Sequence, residues 1–225
     1  MLRIDRVIMA VVAGLGIVLV VHSDPLRWMK HAVPQQVATP ASTLDDPASP
    51  QLVGSGPVQK ILSRSRRLSF AKDGYTLTTV ADFEVEALVL GATSYAWDRG
   101  ADLAQRDVVL GWGRMSRIDL ARQLEISQRG RHYSWRFAST SGLSEKVVRS
   151  STANIHVIGA TDEIESELGL LRAGDVVRLK GNLVDASAED GWRWESSTSR
   201  TDSGDGSSEI LLVREIARTA DAVDL

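Results

Sequence analysis

All six prolines of this 225-residue chain fall between Pro25 and Pro57. Proline fixes φ and has no amide hydrogen for a helix or a sheet ladder, so a stretch this dense in it favours extended polyproline II. Residues 24–57, mixed with alanine, serine, threonine and glutamine, therefore read as a tether that buries too little apolar surface to offset the entropy of ordering it. At about 3.1 Å per residue it would reach up to roughly 100 Å. From residue 58 onward there is no proline, and the whole chain has no cysteine. Hydrogen-bonded ladders can run uninterrupted there. One folded domain is expected over 58–217, with 218–225 as a disordered tail.

Ahead of the tether stands MLRIDRVIMAVVAGLGIVLVVHSDP, in which Arg3 and Arg6 precede an apolar run from Val7 to Val21. Such a run is a secretory signal or a single membrane anchor. Its fifteen residues are short for a full span at about 1.5 Å each, but Ile4 extends it and flanking side chains can snorkel. Val21 and Ser23 match the small residues of a cleavage site only loosely, which favours residues 1–23 as an uncleaved signal-anchor. Arginines before the run orient the N-terminus to the cytoplasm. The chain is thus expected to cross the inner membrane once, with its C-terminal domain in the periplasm. Trp28 and Lys30 suit the headgroup layer.

Within the domain, period-two alternation dominates. Phe83, Val85, Ala87 and Val89 share one parity of a long strand, and residues 107–112 form a short one. Tyr133, Trp135 and Phe137 alternate with Ser134 and Arg136, as on a half-buried strand. In TANIHVIGA, Ala153, Ile155 and Val157 face one way and Asn154 and His156 the other. Two helices interrupt the strands. Ser116 and Asp119 have capping-box spacing at the head of SRIDLARQL, with Ile118, Ala121 and Leu124 on its apolar side. Thr161 caps a second helix with Ile164, Leu168 and Leu171 on one face, ended by Gly174.

The strand GDVVRLKGNLVDA sets Val177, Leu179 and Leu183 against Arg178, Lys180 and Asn182, with Gly181 marking a bend or bulge. It resembles the basic-apolar strand that follows the helix in OB-type barrels. The order GWG, SQ, YSW, ANIHVI, GDVVRLKG, DGWRW and GDG resembles uncharacterised single-anchor envelope proteins of proteobacteria, a likeness that implies a compartment and no activity. The expected fold is mainly β, an OB-like or related antiparallel barrel or sandwich with two short helices, behind an N-terminal membrane helix.

Residues 190–210 read DGWRWESSTSRTDSGDGSSEI. Trp192 and Trp194 share a face of a strand after an Asp-Gly turn, 209–213 is its expected partner, and 200–207 connects them. An EF-hand register fails there: Gly206 at position 6 puts Thr201 at 1 and Leu212 at 12. No metal site and no cofactor are expected.

The absence of cysteine excludes a lipobox thioether, a thiol nucleophile, a CxxC redox pair and thiolate zinc. No HExxH helix, GxSxG elbow or Walker loop is present. GWGRMS at 111–116 has two glycines of a dinucleotide fingerprint but serine at the third place, and reads as a glycine-flanked strand end. Of four histidines, His22 and His31 lie in the anchor and tether. His156 is the weak catalytic candidate, against the plain alternative of a histidine satisfied within the sheet. Asp98 with Asp102, or Asp202 with Asp205, would suit a glycosidase only at a separation that sequence does not give.

A net charge of −3 gives no global reason for a nucleic-acid partner. Locally, Arg114, Arg117, Arg122, Arg129, Arg131 and Arg136 crowd around Tyr133 and Trp135, as in single-strand grooves, but the expected compartment offers lipid headgroups and envelope polymers instead. Five of six tryptophans lie between 97 and 194, and indoles stack on sugars, bases or proline rings. The residues expected to bind a ligand are Trp112, Asn154, His156, Trp192, Trp194 and Arg200. The expected function is binding or scaffolding in the envelope, with an envelope polymer or protein as partner; the alternative is a hydrolase or transferase using His156.

Overall fold

A computed structural model describes residues 51–199, 209–219 and 225. The apolar run, the expected tether through Pro50, and Arg200 lie outside the described residues. Among the described residues no helix is long and apolar enough to cross a membrane.

The domain is mainly β and is organised around one closed ring. Strand β1 (Val58–Ile61) and strand β2 (Ser69–Lys72) lie along β3 (Tyr75–Ser94), the longest strand. β3 is followed by β4 (Arg106–Gly111), the hairpin β5 (Glu125–Arg129) and β6 (His132–Arg136), then β7 (Thr152–Gly159), β8 (Val176–Ser187), β9 (Arg193–Trp194) and β10 (Glu209–Thr219). The ring order is β3-β4-β7-β10-β8, with β8 closing back onto β3. All its pairings are antiparallel except β7 with β10. Within the ring β3 pairs with β8 from Thr76 to Leu88 and with β4 from Leu88 to Ser94, and its first part also carries β2 and β1.

Alternation fills the ring. Phe83, Val85, Ala87 and Val89 of β3 meet Val108 and Leu110 of β4, Ala153, Ile155 and Val157 of β7, Leu179 of β8 and Leu211 of β10 in one buried cluster. Irregularities near Val80 and Leu90 shift the parity of β3. Leu77 consequently faces an outer cluster while Ala81 faces the ring, and Ala92 returns to it beyond the second shift. Leu168 of α3 (Asp162–Gly169) and Leu171 join the same cluster, so this helix packs its apolar face against the ring, as the sequence predicts. Two further clusters cover the outside. One holds α1 (Ile118–Ala121), α2 (Glu145–Ser151) and the β5–β6 hairpin against Leu88, Leu90 and Val109. The other sets Trp192 and Trp194 against Leu77, Ile158, Ala186 and Ile210.

Several local expectations change. Ser116 does not cap α1; its buried hydroxyl accepts from the Val53 amide and lies 2.9 Å from the Val53 carbonyl, pinning that segment to the domain. Val53 is 3% exposed. Residues 51–57, assigned above to the tether, thus pack on the fold, and at the other end β10 continues to Thr219. Thr161 does cap α3, but the helix ends at Gly169, and Gly174 sits in the turn into β8 with φ +95°. Gly181 is not itself a bulge. A Cβ there would stand 1.9 Å from the Leu212 carbonyl oxygen, so glycine makes room for the irregularity at Arg214 in the neighbouring strand. Trp194 does not pair with 209–213. Both edges of β10 are taken by β7 and β8, so β9 turns at Asp190-Gly191 and pairs with Ala186 and Ser187.

Candidate functional site

The outward face of β4 and β7 carries the polar residues that the ring cannot hold. Asp107 and His156 are direct cross-strand partners, which places side chains at contact distance in an antiparallel pair. His156 Nδ1 lies 2.8 Å from Asp107 Oδ1, at ion-pair distance but without an aligned hydrogen bond, and Asp107 Oδ2 has no partner among the described residues. Both are sealed, His156 at 2% exposure and Asp107 at 0%. The Trp194 ring covers the imidazole with centroids 4.7 Å apart.

Arg131 closes the cluster from the β5–β6 turn, where its φ of +70° follows a positive-φ Gly130. Its Nη1 donates to Asp107 Oδ1 and to the Ala104 carbonyl, both at 2.8 Å, while Nε and Nη2 donate to Asp98. Its guanidinium stacks 4.1 Å from the Tyr95 ring and 5.5 Å from the Trp194 ring. Gln128 adds a second tie, donating to Asn154 Oδ1 at 3.0 Å, and Asn154 donates to the Arg131 carbonyl. Burial, followed by the nearby Asp107 carboxylate, pushes the Tyr95 phenol up from its usual value.

From Trp194 the aromatics continue outward. Trp192 stands edge-on to it at 6.2 Å and edge-on to Tyr75 at 5.2 Å, with Arg99 over Trp192 at 5.0 Å. Asp190 holds Arg99 at 2.7 Å, and Arg99 in turn draws the Asp190 carboxyl below its usual range. Tyr75 donates to Asp102 at 2.7 Å, which raises its phenol pKa. Asp98 and Asp102 thus serve different partners. Between Tyr95 and Asp98, both fastened to Arg131, Trp97 projects with 99% exposure. Beside Tyr95 an open groove of about 560 Å³ is lined by Ser94, Gln105, Arg106, Asp162 and Glu165, among others, and His156 does not line it.

The structure brings Asn154, His156 and Trp194 together, with Trp192 adjoining; Asn154 and His156, expected to bind a ligand, are buried. Trp112 is elsewhere, 6% exposed in the ring cluster. Its indole faces Gly56 so closely that a Cβ there would stand 2.9 Å from Nε1. Of the six arginines of the stretch 114–136, Arg117 meets Asp119, Arg136 meets Glu125, and Arg131 is committed as described. An SxxK spacing, Ser69 to Lys72, lies on a strand, where third neighbours face opposite ways; Ser69 bonds Thr78 and Lys72 pairs with Asp73. Among the described residues no three His, Asp or Glu side chains are grouped to hold a metal ion.

Sequence reading missed Asp107, Arg131, Tyr95 and Trp97 as site residues. One signal was present: a lone acid in the apolar strand RDVVLG needs a buried cation or donor. Comparison of the chain with protein-family models, curated proteins and solved structures gives no match.

Proposed function

We propose that this chain is a membrane-tethered binding module of the envelope, an OB-type barrel that holds a partner instead of transforming a substrate. The barrel reading rests on strand order: the first ring strand lies between the second and fourth, and the third runs parallel to the fifth. In OB-type barrels the outward face of the second and third strands, flanked by the first and last interstrand loops, receives oligomeric ligands. Here that face is β4 and β7, and the chain covers it itself with the β5–β6 hairpin, Arg131 and Trp194. Contact passes to the loop rim. The observation that carries this reading is Trp97, an indole 99% exposed on a loop whose flanking residues are both clamped. An exposed aromatic on a tied loop offers a large contact area, with only its own two side-chain torsions left to order.

The inner-membrane anchor and periplasmic placement belong to the same proposal and rest on Arg3 and Arg6 before the run from Val7 to Val21. A hydrolase or transferase reading has one observation in its favour, the carboxylate 2.8 Å from His156. Against it, a base must come within reach of a substrate proton, and this imidazole is 2% exposed under an indole.

A photoreactive phenylalanine in place of Trp97, in the full chain in living cells, tests the proposal: a discrete adduct is expected at 97 and none when the same group replaces Ser127. His156→Gln should lower the melting temperature yet leave function intact where the protein folds. A folded but inactive His156→Gln variant would sink the binding reading.

A further inference from the structure

We infer that residues 58–68 form a docking surface for an anionic lipid bilayer, distinct from the Trp97 rim. Three of the seven large apolar side chains exposed among the described residues fall within 58–68: Val58 at 69%, Ile61 at 53% and Leu68 at 64%. Ile61 pairs with Ala81 and Leu68 donates to Thr79, so these two flank one excursion from β3, while Val58, three residues from Ile61 on the strand, faces the other way. Scattered exposed apolar groups are ordinary, but a cluster marks an interaction surface. Between them stand Lys60, Arg64, Arg66 and Arg67, all exposed, and 58–72 contains five cations and no acid in a chain of net charge −3.

The surface is tied to β3 by hydrogen bonds, and its arginines Arg64 and Arg66 have no acid paired with them among the described residues. Leu62 is buried and donates to the Val80 carbonyl, Leu68 donates to Thr79 Oγ1, and the Thr79 amide donates back to Leu68. Of the acids on the adjoining strands Glu84 is committed to Arg178 and Asp73 to Lys72, whereas Asp82, bonded to the neutral Asn182 amide, keeps its charge directly across the strand pair from Lys60. Arg67 stands near Asp185, whereas Lys60, Arg64 and Arg66 have no ion pair among the described residues. A basic surface with protruding aliphatics matches a layer with anionic phosphates over an apolar interior. The chain reaches the surface from its N-terminal side, at Gln51 only a few residues before Val58.

Three or four cations give weak binding by themselves, but a tether makes docking an intramolecular event at high effective concentration. In this respect the inference rests on the membrane tether proposed above. Docking would set the domain's orientation relative to the bilayer.

The test uses the full chain, which has no cysteine to interfere with a single label at Ser65→Cys. A nitroxide at that position is compared in vesicles of phosphatidylcholine alone and of phosphatidylcholine mixed with phosphatidylglycerol. The label should lose contact with an aqueous nickel reagent only on the anionic vesicles, while a label at Ser127 on β5 stays accessible on both. Arg64→Gln with Arg66→Gln should lower the docked-to-free ratio roughly 30-fold, and Arg64→Lys with Arg66→Lys should restore it, since the attraction follows charge. Thermal melts establish that the variants fold, and carbonate extraction reports on the anchor separately. Equal accessibility on both vesicle types, or undiminished docking of the glutamine variant, overturns the inference. Protection of the label by a soluble polyanion on neutral vesicles would assign the surface to a polymer and equally overturn the lipid reading.

Discussion

YAWDRG at 95–100 and GWGRMS at 111–116 look alike, each a tryptophan with arginine two residues on and a glycine in the same short stretch next to a strand end, yet Trp97 is 99% exposed and Trp112 is 6% exposed. Trp112 continues the parity of Val108 and Leu110, so the strand carries it into the ring cluster, where Val53 and Gly56 close over it. Trp97 follows the end of β3, and its neighbours are drawn toward Arg131 while it is left outside. The residue type is the same. What differs is whether strand parity or loop clamping decides its direction, and only clamping leaves an indole free for a partner.

The largest effect should come from Trp112→Ala, which empties a buried site and is expected to cost about 3–5 kcal/mol in chemical denaturation. A loss below about 1 kcal/mol would show that the site collapses readily and that the indole is not structural. Next is Arg131→Met. It leaves Asp107 buried beside His156 alone and should cost roughly 3 kcal/mol. It also releases Tyr95 and Asp98 together, so emission and quenching of Trp97 should become those of a mobile loop. A stable variant with unchanged loop dynamics would break the clamping account.

Deleting residues 51–57 should cost on the order of 2–3 kcal/mol, since it removes the buried Val53 side chain and uncovers Trp112. Deletion of 24–50 alone should leave the unfolding midpoint nearly unchanged, and a large drop there would move the domain boundary upstream. Trp97→Ala should have the smallest effect, within about 0.5 kcal/mol, because an exposed side chain supports no packing. A substantial destabilisation would mean that Trp97 packs in solution and would remove the basis for the binding rim.

Period-two patterns were legible where both parities of a strand belong to clearly different environments. The parity of Ala153, Ile155 and Val157 against Asn154 and His156 holds in the structure, although both faces are buried, one in the ring cluster and the other under Trp194, Gln128 and Arg131. Alternation says which residues share a face and does not say what covers that face, so the cover that Trp194, Gln128 and Arg131 give to Asn154 and His156 is not readable from it. The partner of Trp194 was illegible for a topological reason: local sequence suggests a hairpin with 209–213, but ring closure uses both edges of that strand. The Asp107–His156 contact depends on the β4–β7 register, and Arg131 arrives from an excursion between those strands. Neither is encoded by spacing along the chain.

The position of β10 as the last ring strand also fixes an order of events during synthesis. β10 lies between β7, which it joins in parallel, and β8. Until residues 209–213 have been made, β7 and β8 each retain a bare edge of amides and carbonyls, the template on which other chains pair. A nascent chain stalled before Glu209 is thus an open sheet with two live edges, and such non-local pairings form slowly. Delivery of β10 closes both edges at once and converts an aggregation-prone sheet into a closed wall.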